Sequence, residues 1–328
     1  MGTVNVHRCP VCDGHERRLL VRTRDFACGG AREWRIVRCR RCSVGFLDPR
    51  PDAATLAAAY PDDYYAYAPP ALRLQPPHRR ARLHALLRRR GYPVPDAPWW
   101  ARLSVRLLPP GIAAPPFVAG GRLLDVGCGS GAYLLLMREL GWRTEGLEPD
   151  ARAVAAGRSV GLEIHEGTLE TVELPPERYA WIRLSDVLEH IADPVQALGA
   201  VRRLLHDEGR VEITVPNIAS WSFHLFRRYW FPLEVPRHLL FYTPASIRLL
   251  AQRCGFSIEE LRIWSHKEVD VVESTRYWLG ERHPRLLGAF DHRPVRTIYR
   301  KLFAPWKWLA DRCGGGSAMT LTLRKELH

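Results

Sequence analysis

Two groups of residues in this chain have the types and spacing for chemistry. The first is Cys9-Pro10-Val11-Cys12 with Cys39-Arg40-Arg41-Cys42, two C-x-x-C pairs 26 residues apart. Each pair suits a tight turn, and four thiolates suit tetrahedral Zn²⁺. A fully ligated ion leaves no open position for a substrate, so these residues predict a structural zinc ribbon over 1–51 that draws folding free energy from its metal. Cys28, Cys128, Cys254 and Cys313 are scattered and read as small packing side chains. The second group is Leu123-Leu124-Asp125-Val126-Gly127-Cys128-Gly129-Ser130-Gly131, an apolar strand turning through three glycines into a helix. Alternate glycines let the backbone approach a ligand closely, and the helix start offers free N–H groups. Seventeen residues later a second strand ends at Glu148, in Gly146-Leu147-Glu148-Pro149-Asp150. A carboxylate at that tip can accept from both hydroxyls of a ribose. A dinucleotide would call for G-x-G-x-x-G, and the chain has the tighter G-x-G-x-G.

The elements that must position these groups follow from periodicity. Strands are expected at 122–126, 143–147, 163–165, 179–184, 210–215, 257–264 and 318–324, and helices at 131–140, 151–159, 194–205 and 244–254. Such alternation predicts an α/β fold with a parallel sheet covered on both faces. The domain reading is a ribbon (1–51), a helical cap (52–119), a core (120–265), a basic Trp-rich insertion (266–315) and a last core strand (316–328). In the cap, helices are expected at 53–60, 78–90 and 99–108. Its aromatic residues Tyr60, Tyr64, Tyr65, Tyr67, Trp99 and Trp100 predict burial or ligand contact. In the insertion, Ile298, Tyr299, Leu302, Phe303, Trp306 and Leu309 recur at helical spacing among basic residues, with Pro305 expected to split the stripe into two short helices. That pattern fits a membrane-surface helix, core packing or a dimer face.

The glycine loop resembles motif I of class I S-adenosylmethionine methyltransferases. The likeness continues through Gly167-Thr168-Leu169-Glu170, where that family contacts adenine, and Ser185-Asp186-Val187-Leu188-Glu189-His190-Ile191-Ala192-Asp193-Pro194 after the fourth strand. It covers roughly 120–265 and 316–328. The resemblance implies a Rossmann-like seven-stranded sheet with S-adenosylmethionine at Asp125, Gly127, Gly129, Gly131, Glu148, Pro149, Thr168, Leu169, Ser185 and Asp186. One departure is Tyr179-Ala180, where many relatives have Phe-Asp.

Glu189-His190 through Pro194, with Pro236-Arg237-His238-Leu239 and Tyr242-Thr243-Pro244, resembles the branch holding quinone O-methyltransferases and natural-product and sugar methyltransferases. The resemblance implies methyl transfer to a hydroxyl or carbon acid of a small molecule. Such an acceptor needs a base; the candidates are His238, then His190, then His224. Asp186, Glu189 and His190 orient the cofactor's methionyl end and seat the following helix in one reading; in the other they hold a divalent ion such as Mg²⁺, with Asn217 as the fourth ligand that the resemblance implies. A second reading is an RNA methyltransferase that grips phosphates with its ribbon and basic helices. Against it, Ser185-Asp186-Val187-Leu188 lacks the Pro-Pro-aromatic run of base amino-group methylation.

Composition sets the bounds. With 328 residues, 46% of them hydrophobic, the chain can build a large core. No apolar run reaches the roughly 18 residues that span a bilayer, and residues 1–10 lack a signal-peptide stretch, which predicts a cytoplasmic protein. The net charge of +13 is unevenly placed: residues 1–51 carry 11 basic and 5 acidic side chains, 73–106 carry 9 and 1, and 276–312 carry 9 and 3. The basicity therefore lies outside the central core. It suits nucleic acid, anionic lipid, a phosphorylated substrate or simple solubility. The oligomeric state is not encoded in any motif.

Overall fold

The computed structural model describes residues 2–60, 77–107, 114–265 and 269–326. The chain opens with β1 (Thr3–Val4), β2 (Arg17–Arg24), β3 (Glu33–Cys39), β4 (Gly45–Leu47) and β5 (Arg50–Pro51), then α1 (Ala53–Ala57), α2 (Pro77–Arg89) and α3 (Trp99–Leu107). The alternation follows: β6 (Arg122–Val126), α4 (Ala132–Glu139), β7 (Arg143–Glu148), α5 (Ala151–Arg158), β8 (Glu163–Glu166), β9 (Tyr179–Ser185), α6 (Pro194–Leu204) and β10 (Leu205–Pro216). Next come α7 (Trp221–Phe226), β11 (Leu240–Phe241), α8 (Pro244–Arg253), β12 (Phe256–Trp264), the helices α9 (Val269–Arg282), α10 (Pro284–Asp291) and α11 (Arg293–Arg312), and β13 (Ala318–Lys325).

Seven strands form one mixed sheet in the order β12-β13-β10-β9-β6-β7-β8. Strand β7 runs parallel to β6 and to β8, whereas β12 and β13 pair antiparallel. This is the seven-stranded Rossmann-like sheet expected from the sequence, with an antiparallel β12–β13 pair where the alternation alone predicted parallel strands. Local signals start its helices. Asp150 caps α5 by accepting from the N–H of Arg152 at 2.8 Å, and Thr243 and Ser246 close a reciprocal capping box on α8.

The chain divides into two compact units, residues 65–183 with 203–210, and residues 1–64 with 184–202 and 211–328. In the first, Leu123, Leu134, Met137, Trp142 and Ile164 build the core. Beside it, the buried Glu145 carboxylate accepts from Arg122, Arg178 and Tyr179 at 2.8 Å each, tying the starts of β6, β7 and β9 together. Burial alone would raise the Glu145 carboxyl, but the Tyr179 hydroxyl and the two guanidinium groups outweigh it and hold the group below the usual glutamate range. Tyr179, the departure from the family pattern, is thereby used as a buried hydrogen-bond donor.

Helices α2 and α3 pack through Ala85, Leu86, Ala101 and Val105. That choice of face speaks against one of the two roles expected of the cap aromatics, burial, and leaves ligand contact open. Trp99 and Trp100 lie on the other side of α3 and are 70% and 39% exposed. Tyr64, Tyr65 and Tyr67 fall outside the described residues.

In the second unit, β2, β3 and β4 form a small antiparallel sheet whose fourth strand is β11, with Leu240 opposite Phe46 and Phe241 opposite Gly45. The cysteine-bearing segment thus completes its sheet with residues about 200 positions later in the chain. Helix α11 contradicts the expected break, because Pro305 sits inside one continuous helix. Its inner side, Tyr299, Phe303, Trp306 and Ala310, is held by neighbouring rings and offsets the lost backbone bond. Among the described residues no helix is long and apolar enough to cross a membrane.

Candidate active site

The glycine loop sits at the carboxyl end of β6. Gly127, Gly129 and Gly131 all take positive φ, at 66°, 54° and 87°. Gly131 is doubly constrained: a side chain there would have an unfavourable φ, and its Cβ would meet Leu162 Cδ1 at 2.5 Å. The loop is tied to the next strand by Gly127 N–H donating to the Leu147 carbonyl at 2.7 Å.

Glu148 ends β7 as expected and grips the loop. Its Oε2 accepts from the Gly129 N–H at 2.9 Å and its Oε1 from the Asp150 N–H at 3.0 Å. Burial pushes its carboxyl above the usual range, partly opposed by those two N–H groups. Each oxygen keeps a lone pair that a ribose hydroxyl can use. Asp125 is 1% exposed, and its carboxylate accepts from Arg183 at 3.0 Å, with the Arg183 guanidinium stacked 4.1 Å over the Tyr133 ring. Burial raises the Asp125 carboxyl against the pull of that guanidinium. Pro149 is exposed beside Glu148; Thr168 forms a tight turn with Thr171 after β8, and Leu169 is buried beneath it.

The other predicted residues belong to the second compact unit. Ser185 ends β9 and donates to Asp186 Oδ2 at 3.3 Å. Asp186 has φ of 56°, and its N–H is held by the Thr214 carbonyl at 2.9 Å. His190 and His238 meet edge to face with ring centroids 4.6 Å apart. His238 is 5% exposed, and its Nδ1–H donates to the Pro232 carbonyl at 2.9 Å. His190 Nδ1 lies 3.0 Å from the Arg237 carbonyl and 3.1 Å from the Tyr60 hydroxyl. Burial pushes both imidazoles down, His238 to about 4 and His190 to about 3, the His238 neighbour adding to the second. Both are neutral at physiological pH. His224, the third base candidate, is exposed on α7 and is not part of this pair.

Beside the pair lies Glu189, fully buried, with neither carboxylate oxygen hydrogen-bonded among the described residues; burial first, then the Asp186 charge, raises its carboxyl well above the usual range. Ligand atoms of Glu189, His190 and His238 lie within 4.8 Å of one another. The divalent-ion set expected from sequence is therefore revised. Asn217 is spent on its own loop, donating to the Gly316 carbonyl at 2.9 Å and accepting from the Ala219 N–H at 3.0 Å. His238, distant in sequence, stands where Asp186 and Asn217 were expected. Two imidazoles and one carboxylate also depart from the oxygen shell that Mg²⁺ prefers.

The four expected cysteines converge. Cys9, Cys12, Cys39 and Cys42 are all buried, with Sγ–Sγ separations of 3.5 Å (Cys9 to Cys42) and 3.6 Å (Cys12 to Cys39). Tetrahedral Zn–S bonds would set about 3.8 Å between sulfurs. Both C-x-x-C turns have the same form: the N–H after each second cysteine returns to the first cysteine's carbonyl, from Asp13 and Ser43, both at positive φ. The cluster fits a small zinc-binding element.

Sequence reasoning missed what holds the histidine pair. Arg237, 2% exposed, points the other way from its carbonyl and binds Asp25 at the tip of the β2–β3 hairpin.

An α/β sheet with a glycine-lined loop and an acidic second-strand tip defines a nucleoside-cofactor domain. A family model described as a methyltransferase domain matches residues 99–261. Similar curated proteins include the ubiquinone biosynthesis O-methyltransferase of Aeromonas salmonicida, 26% identical over 155 residues that make up 43% of this chain and 65% of that protein. The protein of the same name from Cereibacter sphaeroides (strain ATCC 17025) is 29% identical over 156 residues, 44% of this chain and 63% of its own length. The chain thus spans just under two thirds of these relatives. Solved structures that resemble it include an S-adenosylmethionine-dependent methyltransferase from Mesorhizobium loti, with 18% identity, coverage of 64% of this chain and 93% of that one, and a TM-score of 0.42. Another, from Methanosarcina mazei, has 14% identity, coverage of 65% and 95%, and a TM-score of 0.44. Over just under half of its length the chain is thus similar to S-adenosylmethionine-dependent methyltransferases.

Proposed function

We infer that the chain transfers the methyl group of S-adenosylmethionine to a hydroxyl or carbon acid of a small molecule: a natural product, a quinone or a nucleotide sugar. The observation that carries this reading is the Glu148 carboxylate pinned to the Gly129 N–H beside three positive-φ glycines. The bound donor supplies an electrophilic sulfonium methyl. The loop N–H groups and Glu148 bind and orient it, and the Asp125–Arg183–Tyr133 stack braces the loop from below. His238 is the preferred base, with His190 second. Donation of the His238 Nδ1–H to Pro232 leaves Nε2 as the basic nitrogen, already neutral at working pH. The names of the curated relatives favour a small-molecule acceptor over RNA.

Residues 1–51 serve in this reading as a ribbon around structural Zn²⁺, 52–119 as a cap and 266–315 as an insertion, in a cytoplasmic enzyme. A second role for the histidine site is supported by the unbonded Glu189 carboxylate: a divalent cation on Glu189, His190 and His238. Metal analysis separates the roles. Loss of one metal equivalent in Glu189→Gln, with the cysteine-bound equivalent retained, supports the cation; equal metal content in wild type and variant removes it.

The reading is tested with label in the donor methyl group, offered catechols, phenols, nucleotide sugars and total RNA in parallel. It expects a labelled small molecule and a loss of roughly 10²–10⁴-fold in His238→Ala. Label in RNA alone, or wild-type turnover by His238→Ala, contradicts it.

A further inference from the structure

The basic insertion is not used by the reading above, and its last helix has two apolar sides. The inner side of α11 is occupied by the ring contacts of Tyr299, Phe303 and Trp306. The outer side presents Val295, Ile298, Leu302, Pro305 and Leu309, at intervals of three and four residues, which keeps them on one stripe along the helix. Exposure is 41% at Val295, 59% at Ile298, 71% at Leu302 and 45% at Leu309. Single exposed leucines are ordinary; a stripe about four turns long is a surface that needs a partner.

The charge beside the stripe identifies the partner. Residues 283–312 carry 7 basic and 2 acidic side chains. Both acids are already engaged, Asp291 by Arg276 and Asp311 by Ser265 and Lys307. Arg285, Arg293, Arg300 and Lys301 are exposed and have no ion-pair partner among the described residues. A second copy meeting the stripe through the same helix would bring like charges to the seam, with both acids of residues 283–312 already engaged. An anionic lipid surface offers both what the stripe lacks and what the cations attract: an apolar layer under a negative headgroup plane. Trp308, 56% exposed on the same helix, has the amphipathic ring that favours that boundary.

We propose that α11 is a membrane-surface helix that docks the enzyme on anionic lipid through the Val295–Leu309 stripe and its flanking arginines and lysine. The helix lies on the surface and does not span it.

The test is sedimentation of the full-length protein with sucrose-loaded vesicles of phosphatidylcholine, alone or with 30% (about one lipid in three) phosphatidylglycerol. Pelleting is expected with the anionic vesicles and not the neutral ones, and should fall several-fold between roughly 0.05 and 0.5 M salt. Ile298→Glu/Leu302→Glu should weaken it at least about tenfold, and Arg300→Glu/Lys301→Glu should weaken it in anionic vesicles while leaving the apolar stripe intact. Circular dichroism of both variants should match wild type, because all four side chains are exposed. Three results would overturn the proposal: no pelleting at low salt, pelleting untouched by both variants, or a dimer in light scattering that Ile298→Glu/Leu302→Glu dissociates.

Discussion

Asp25 and Arg237 form a buried two-point ion pair, Nη1 to Oδ2 at 2.9 Å and Nη2 to Oδ1 at 3.2 Å. The pair joins the tip of the cysteine-bearing hairpin to the residue immediately before His238, whose own neighbour on the chain carries the carbonyl that His190 contacts. Asp25 is prepared for the role, since its Oδ1 also accepts from the N–H groups of Ala27 and Cys28 at 3.1 and 3.0 Å. Arg237 is further held by the Ala59 carbonyl at 3.1 Å.

Removing Asp25 leaves the buried Arg237 guanidinium with only the more distant Glu234 carboxylate, 3.8 Å from its Nε. Asp25→Ala should therefore cost about 3–5 kcal/mol of unfolding free energy, and Asp25→Ala/Arg237→Met should recover part of it because no stranded guanidinium remains. Urea titrations of the single and double variants decide the point. A loss below about 1 kcal/mol in the single variant would show that water reaches the pair.

The cysteine cluster predicts a stability that depends on metal. Purified protein should contain a zinc equivalent that Cys39→Ser loses, and that variant should melt at a lower temperature. Zinc content unchanged by Cys39→Ser would contradict the assignment.

Glu145 predicts a pH dependence. Its carboxyl is held below the ordinary range in the folded chain, so its contribution is complete above the unfolded value of about 4.3 and is lost as pH falls through the lower folded value. Glu145→Gln should cost about 1.5–3 kcal/mol near pH 7 and progressively less as the solution is acidified below about pH 4. The comparison is made by chemical denaturation at several pH values; a gap that stays constant down to pH 2 would contradict it.

How much of this was legible beforehand depended on how local the determinants are. The bounds of β6 were readable to the residue, because the apolar run ends in Gly127 and the turn chemistry lies in adjacent positions. The cysteine pairs and the position of Glu148 at the tip of β7 were equally local, but its hold on the Gly129 N–H was not read from the sequence. The closure of the ribbon sheet by β11 was not, since nothing in Leu240–Phe241 alone says that Phe46 and Gly45 will lie opposite. Likewise nothing adjacent to Asp25 in the sequence points to Arg237, more than 200 residues later. The burial expected as one role of Trp99 and Trp100 is not met, because composition reports aromatic content without saying which face of α3 packs. Pro305 misled because propensity is a local rule, overridden by the rings that anchor α11 on its inner side.

The most direct test is isothermal calorimetry of well-folded protein with S-adenosylhomocysteine, wild type beside Glu148→Ala. The account predicts clear binding by wild type and a weakening of roughly 1–3 kcal/mol, about tenfold to over a hundredfold, when the carboxylate proposed to accept the ribose hydroxyls is removed. Equal affinity in the two proteins would remove Glu148 from the site. No heat with either the methyl donor or its demethylated product would contradict the central claim.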